Sequence, residues 1–291
     1  MDFDLQNYEC PLCKQDNTKP VLIKHGLTVV QCANCSFVYV NPRLKNEQLN
    51  SIYLHNYFKN KKYGYVGYEL QEVLRKKNFE RWLEDAGDHI PKNKIIRSLD
   101  VGCAAGYCLD VMKEKVWDVE GIELEEEMHT VLNRTGYNVS KTRLEDFETE
   151  KKYSVITLFD VLEHIPDPDK VFKKLYSLLE ADGVIIIVTP DHKSFQRKFF
   201  QKKWFQYKPI EHIQYFTRHT INIFAERNGL QMVMVKHCGQ YADTDFIVNR
   251  LRYYHFSFLH TLFNKMFSLL RLKNKFFYID TGSLLAVFKK K

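Results

Sequence analysis

Four cysteines near the N-terminus, Cys10, Cys13, Cys32 and Cys35, are spaced C-x2-C-x18-C-x2-C. Thiolates are soft ligands, and two Cys-x-x-Cys knuckles on tight turns can close a tetrahedron around Zn²⁺. With cysteine at all four positions, no coordination site stays open to water, so the spacing predicts a structural zinc. Disulfide pairing, or a pattern without function, is the competing reading. "VLIKHGLTVVQC" and "SFVYVNP" read as the short strands of a ribbon, with His25 a turn residue rather than a ligand. A unit of about 45 residues buries little surface, so the metal would supply stability that its core lacks.

A second chemical signal lies in "SLDVGCAAGYCLD", residues 98–110. Apolar residues run into Asp100, a turn with Gly102 and Gly106 follows, and a helical pattern begins at Tyr107. Such a turn between strand and helix is where a nucleotide-type ligand meets backbone. The dinucleotide fingerprint needs glycine at 102, 104 and 107, but the chain has Gly102, Ala104 and Tyr107. A phosphate-cradling loop would need Gly-Lys-Ser/Thr, which is missing. NAD and ATP are both disfavoured. Two histidines add a third signal: His164 in "DVLEHIPDP" and His212 in "KPIEHIQYFT" follow Glu163 and Glu211. Imidazole is the usual general base near neutral pH, and an adjacent glutamate can orient it or share a metal.

These groups need a fold to hold them. The chain has 291 residues, 45% hydrophobic and 27% charged, which suits about two domains with a buried core. No apolar run approaches the roughly 18 residues of a membrane span. The start, "MDFDLQNYEC", is too acidic and polar for a secretory signal, so a cytoplasmic location is expected. The net charge is +7, and residues 240–291 carry nine Lys/Arg against three Asp. A basic region of this kind points to an anionic partner (substrate, membrane surface or nucleic acid) or to a solvated face.

The pattern predicts a zinc ribbon over 1–45, a helical connector over 46–92 and an α/β domain over 93–291, with insertions near 191–216 and 243–280. The connector contains the tyrosine-rich "SIYLHNYFKNKKYGYVGYEL" and a helical pattern through Leu70, Val73, Leu74, Phe79 and Leu83. Strands are expected at 94–101, 118–124, 137–140, 153–160 and 184–190, with two more after Gly229. Helices are expected from Tyr107 to Lys115, over "EEEMHTVLNRTG", from "PDKVFKK" to Gly183, and after the cap residue Thr217. Apolar strands alternating with helices imply a mostly parallel sheet covered on both faces.

Together, "LDVGCAAGY", "GIELEEEM", "RLEDF" and "VITLFDVLEHIPDP" resemble class I S-adenosylmethionine-dependent methyltransferases. With "CANCSFVYVNPR" and "EHIQYFT", the chain resembles the branch whose methyltransferase domain follows a four-cysteine zinc ribbon. The resemblance covers nearly the whole chain and implies a Rossmann-like domain with a mostly parallel seven-stranded sheet. It places Asp100, Gly102, Cys103 and Gly106 in the cofactor loop, with Ala104 replacing the family's middle glycine. That replacement is mild if residue 104 has a negative φ. It further implies Asp100 near the methionine amino end, Glu123 accepting both ribose hydroxyls and Leu124 packing on the adenine. Asp146, beside Phe147, would meet the adenine amino group, and Phe159 and Asp160 would lie near the reacting methyl.

Methyl transfer is a direct displacement in which positioning supplies much of the rate, and a hydroxyl acceptor benefits from a base. His212 and His164 are the candidates, His212 slightly preferred and His164 alternatively a structural loop residue. The Asn/Asp-Pro-Pro-aromatic turn of enzymes that methylate exocyclic amines is replaced by "FDVLEHI", and the chain lacks the Pro-Cys dipeptide of cytosine C5 methylation. The expected reaction is O-methylation, or secondarily C-methylation, of a small-molecule or saccharide-type acceptor. An RNA methyltransferase and a non-catalytic scaffold are the alternatives. Substrate choice falls to residues 192–209, with six Lys/Arg and six aromatics, and 246–278, with six Lys/Arg, ten aromatics and no acid. Both suit an anionic or lipid-linked sugar, and equally single-stranded RNA. Leu259, Leu262, Phe263, Met266, Phe267 and Leu270 share one apolar helical face. That face reads as a lid, a dimer contact, a membrane-surface helix or a helix packed on the domain's own core.

Overall fold

The computed structural model describes residues 4–49, 72–92, 94–254, 256–270, 272 and 275–291. The tyrosine-rich stretch 51–70, including Leu70, lies outside the described residues. The strands are β1 (Leu5–Gln6), β2 (Thr18–Lys24), β3 (Leu27–Cys32), β4 (Val38–Val40), β5 (Arg43–Leu44), β6 (Arg97–Val101), β7 (Asp118–Ile122), β8 (Asn138–Ser140), β9 (Tyr153–Phe159), β10 (Leu179–Pro190), β11 (Gln214–Tyr215), β12 (Leu230–Asp243) and β13 (Phe276–Lys290). The helices are α1 (Glu72–Asp85), α2 (Tyr107–Glu114), α3 (Glu126–Leu132), α4 (Pro168–Leu178), α5 (Phe195–Phe200), α6 (Arg218–Arg227), α7 (Thr244–Tyr253) and α8 (Ser257–Leu269).

The N-terminal sheet grows from a hairpin. His25 and Gly26 join β2 to β3 with φ of 53° and 78°, the paired left-handed residues whose twist suits a two-residue hairpin turn. His25 is thus a turn residue. Each Cys-x-x-Cys turn closes in the same way: Lys14 N–H donates to Cys10 O at 2.9 Å and Ser36 N–H to Cys32 O at 3.0 Å. Lys14 and Ser36 both take positive φ. The fourth strand of this antiparallel sheet comes from far along the chain, because β11 pairs with β4 through Gln214↔Tyr39 and Tyr215↔Val38.

The larger sheet has the order β12-β13-β10-β9-β6-β7-β8. Its strands are parallel except β13, which runs antiparallel to both β10 and β12. The chain winds outward from β6 to β8, then returns to β9, so the switch in strand order lies between β6 and β9. Every residue of β9 is buried, as expected of a central strand covered on both faces. One face packs on α4 and α6 through Phe172, Leu175, Ile221 and Phe224. The other packs on α1 and α2 through Trp82, Leu83, Val111 and Met112. Burying each such side chain contributes about 1.5–3 kcal/mol, so these two layers hold the sheet against its helices.

Two expectations need correction. Helix α4 ends at Leu178 rather than Gly183, because Leu179 already pairs with Tyr153 before a register shift to Val184. In that shift, a side chain at Gly183 would place its Cβ 2.9 Å from the Tyr153 carbonyl oxygen, so the close approach needs glycine. The last two strands are also longer than expected and extend their pairing out to Asp243↔Phe276. The cap at Thr217 is present as a reciprocal capping box with Thr220, which satisfies two otherwise unpaired N–H groups.

Candidate active site

The turn between β6 and α2 is the first wall of a cavity of about 220 Å³ at the carboxyl ends of the strands. Gly102, Ala104 and Gly106 take φ of 73°, 47° and 86°. Ala104 is therefore left-handed, so the condition for a mild replacement is not met, and an L-residue there costs about 1–2 kcal/mol. Backbone bonds hold it in place: Gly102 and Cys103 N–H donate to Ile122 O at 2.8 and 3.1 Å. Ala104 N–H donates to Glu123 Oε2 at 2.8 Å. The strained loop is thereby tied to the next strand.

Five acids line this cavity, Asp100, Glu123, Glu125, Glu145 and Asp160. Asp100 accepts the Thr157 hydroxyl at 2.6 Å, yet burial pushes its carboxyl up to about 7. Glu123 also lies above the usual carboxylate range through burial, opposed by N–H bonds from Glu125, Ala104 and Leu124. These three bonds occupy most of the roughly four acceptor directions of a carboxylate. Burial raises Asp160 as well, with the charges of Arg75 and Lys208 opposing it. Asp160 itself sits at φ 55°, just past the end of β9.

Of the residues singled out from the sequence, Asp100, Gly102, Cys103, Glu123, Leu124, Phe159, Asp160 and His164 line the cavity. Gly106 starts α2 and does not reach the cavity. Asp146 and Phe147 are likewise absent from the wall, where Leu144 and Glu145 stand instead. The tight turn explains the change: Asp146 N–H bonds Arg143 O and Phe147 N–H bonds Leu144 O. This turns Phe147 into the core and leaves Asp146 exposed. Glu145 is raised by burial.

Helix α1 adds a part that the sequence reading missed, because Arg75, Asn78, Phe79 and Trp82 also line the cavity. Phe79 stacks on Phe159 at 5.7 Å, and Trp82 leans on the same ring at 5.2 Å. The indole N–H of Trp82 donates to Gly239 O at 3.0 Å, and Asn78 Oδ1 accepts from Tyr241 N–H at 2.5 Å. The apolar pattern of α1 signalled a buried face, but only the tertiary fold shows that this face roofs the cavity.

His164 and His212, 48 positions apart in the chain, meet with ring centroids 4.9 Å apart at 84°. Each Nδ1–H donates to a backbone carbonyl at 2.9 Å, His164 to Glu211 and His212 to Gln206. His164 reaches the cavity wall, whereas His212 stands behind it and is buried. Burial pushes His164 down to about 4 and His212 well below the usual imidazole value, so both rings are neutral at physiological pH. Glu163, whose Oε2 accepts the Thr189 hydroxyl at 2.9 Å, is raised to about 8 by burial and by the Asp160 charge. Ligand atoms of Glu163, His164 and His212 lie within 4.8 Å of one another, as do the four N-terminal cysteine sulfurs. Cys10 and Cys35, and likewise Cys13 and Cys32, have their sulfurs 3.4 Å apart.

A family profile described as "Methyltransferase domain" matches residues 68–235, which spans the cavity loop, the carboxylate wall and both histidines. The chain belongs to this family of S-adenosylmethionine-dependent methyltransferases. A ubiquinone biosynthesis O-methyltransferase of Haemophilus ducreyi is 31% identical over 103 residues, covering 31% of this chain and 44% of that protein. The chain thus spans less than half the length of this relative. A SAM-dependent methyltransferase structure from Archaeoglobus fulgidus aligns with a TM-score of 0.53 at 17% identity, over 77% of this chain and all of that one. One from Clostridium acetobutylicum aligns at 0.50 and 14%, over 75% and 92%. Both likenesses concern the fold, and they place the seven-stranded sheet among class I methyltransferase folds.

The residues of the methyltransferase domain fit the family's cofactor. S-adenosylmethionine carries a sulfonium and an ammonium cation and no phosphate. The cavity answers with acids, Asp100, Glu123 and Asp160 among them, whose ionised forms are disfavoured by desolvation, and opposite charge nearby favours that form. The four cysteines likewise offer the soft, closed donor set of a structural zinc site.

Proposed function

We propose that the protein transfers a methyl group from S-adenosylmethionine to a hydroxyl of a small-molecule or saccharide-type acceptor. Asp100 and the loop with Gly102 and Cys103 hold the methionine end of the cofactor. Glu123 receives the ribose by exchanging one of its N–H bonds, and Leu124 with Leu144 sandwiches the adenine. Glu145, rather than Asp146, is the acid nearest the base. Phe159 and Asp160 flank the reacting methyl, which the bound cofactor presents as an electrophile on positive sulfur. The N-terminal cysteines hold a structural zinc.

The observation that carries this reading is a neutral imidazole at the cavity wall beside Phe159 and Asp160. His164 takes the acceptor proton as the oxygen attacks, and His212 behind it fixes the ring. The order preferred from sequence is thereby reversed, for reasons of reach. The name of the Haemophilus relative, an O-methyltransferase, supports oxygen as the acceptor atom. The first test is calorimetric titration with S-adenosylmethionine, with NADH as the control; binding of NADH alone would overturn the cofactor assignment. His164→Ala should then lower kcat about 10²–10⁴-fold with unchanged cofactor affinity. Undiminished turnover would remove His164 as the base.

A further inference from the structure

The two basic, aromatic insertions meet at the active-site edge of the sheet, and each carries exposed apolar residues. Of the fifteen large hydrophobic residues exposed among those described, ten fall between Phe195 and Tyr278. Helix α8 has two apolar stripes. Leu259, Phe263, Met266 and Phe267 face the protein, where Phe267 stacks on Phe277 at 6.0 Å. Phe258, Leu262 and Leu269, 78%, 48% and 84% exposed, recur at helical spacing with exposed Lys265 on the outer side. Leu262 and Leu270, expected on one apolar face with Leu259, Phe263, Met266 and Phe267, are exposed.

Helix α5 contributes Phe195 and Phe199, 71% and 61% exposed, with exposed Lys198, Lys202 and Lys203 around them. The two insertions touch: Phe200 stacks on Tyr254 at 3.6 Å, and the Arg250 guanidinium lies 3.9 Å over Phe205. Helix α5 follows the carboxyl end of β10. Helices α7 and α8 are inserted between β12 and β13, whose outermost pair, Asp243↔Phe276, lies beyond Pro190↔Ser283. Both insertions therefore leave the sheet at the end that carries the cavity.

We propose that this face docks the enzyme on an anionic lipid bilayer. Between 192 and 210, and again between 246 and 279, the chain has no acid and twelve Lys/Arg. Such a charge set complements anionic headgroups, while exposed phenylalanine and leucine enter the acyl boundary. A second copy of the same face would bring like charge against like charge. Single-stranded RNA would be met by stacking, which leucines cannot provide. No helix among the described residues is long and apolar enough to cross a membrane, so the contact is interfacial. The inference stands apart from the identity of the acceptor.

The test is co-sedimentation of the full chain with phosphatidylcholine vesicles, with and without phosphatidylglycerol. Binding is expected on the mixed vesicles, weakened by salt, and little on phosphatidylcholine alone. Phe258→Asp with Leu262→Asp should lower the bound fraction at least about tenfold, with melting temperature and S-adenosylmethionine affinity unchanged. Should that pair fail to fold, Leu269→Asp near the helix end is the substitute and should reduce binding in the same direction. Absence of sedimentation, equal binding to both vesicle types, or full binding by a folded variant would overturn the proposal. So would a stable dimer that the variants dissolve, or preferential binding of polyuridylate over vesicles.

Discussion

Five acids around one cavity favour positive charge there, and the consequence can be measured. Asp100, normally near 3.8, sits at about 7 because it is buried. The folded protein therefore holds a proton that the unfolded chain releases, and ligand-free stability from this group falls as pH rises from about 4 to 7. A cationic ligand favours the ionised form, so its binding expels that proton below pH 7. S-adenosylmethionine affinity should climb about tenfold from pH 6 to pH 8, and Asp100→Asn should flatten the slope in titrations across that range. Glu123→Ala should weaken cofactor binding by about 1–3 kcal/mol; unchanged affinity would mean that Glu123 serves only to tie Ala104 and Glu125. His164 acts in the opposite sense. Its folded value of about 4 lies below the ordinary 6.5, so the stability of the neutral ring is present above 6.5 and lost as pH falls towards 4.

At the scale of elements, the loop after β6 shows how one backbone angle escapes sequence reading. Spacing identified the strand–turn–helix, but nothing in "GCAAG" distinguishes an Ala104 at negative φ from one at 47°. The second case arises because Ala104 N–H must point at Glu123. Ala104→Gly should raise stability by about 0.5–1 kcal/mol, the left-handed penalty less the extra entropy of glycine, measured by urea unfolding. A loss of stability would place the strain elsewhere. Helix α4 teaches a similar lesson, since "LLEADG" has helical composition but is taken by strand pairing with Tyr153. The turn after Thr142 puts Glu145 rather than Asp146 in the cavity wall, and no local pattern in "RLEDF" records which side chain faces inward.

At the scale of the whole molecule, the cysteine-bearing sheet and the loop carrying His212 are built together. Val40 N–H donates to Ile213 O at 2.9 Å, and Ile213 N–H donates to Glu163 O at 3.0 Å. Strand β4 is thereby linked to Ile213, next to His212, and through it to Glu163, next to His164. Removing metal with a chelator should lower methyl transfer about 10²-fold, as expected for a catalytic group misplaced by about an ångström. S-adenosylmethionine affinity should change little, because Asp100 and Glu123 belong to the other sheet. Recovery on adding zinc back would confirm the link, and full turnover by metal-free protein would make the ribbon a passenger.

The sequence by itself determined what local periodicity and spacing can encode: the paired Cys-x-x-Cys turns, the alternation of strands and helices, the cap at Thr217 and the glycine-bearing turn after β6. It also supplied both histidines, each visible beside a glutamate. Only the tertiary structure decided which residues meet. His164 and His212 are separated by two helices and a strand, and their contact follows from a sheet whose last strand, β11, begins two residues after His212. The roof of Phe79 and Trp82 depends in the same way on where α1 packs against β12. Contacts between distant segments are set by burial of surface common to several elements, and no single stretch of the chain records that.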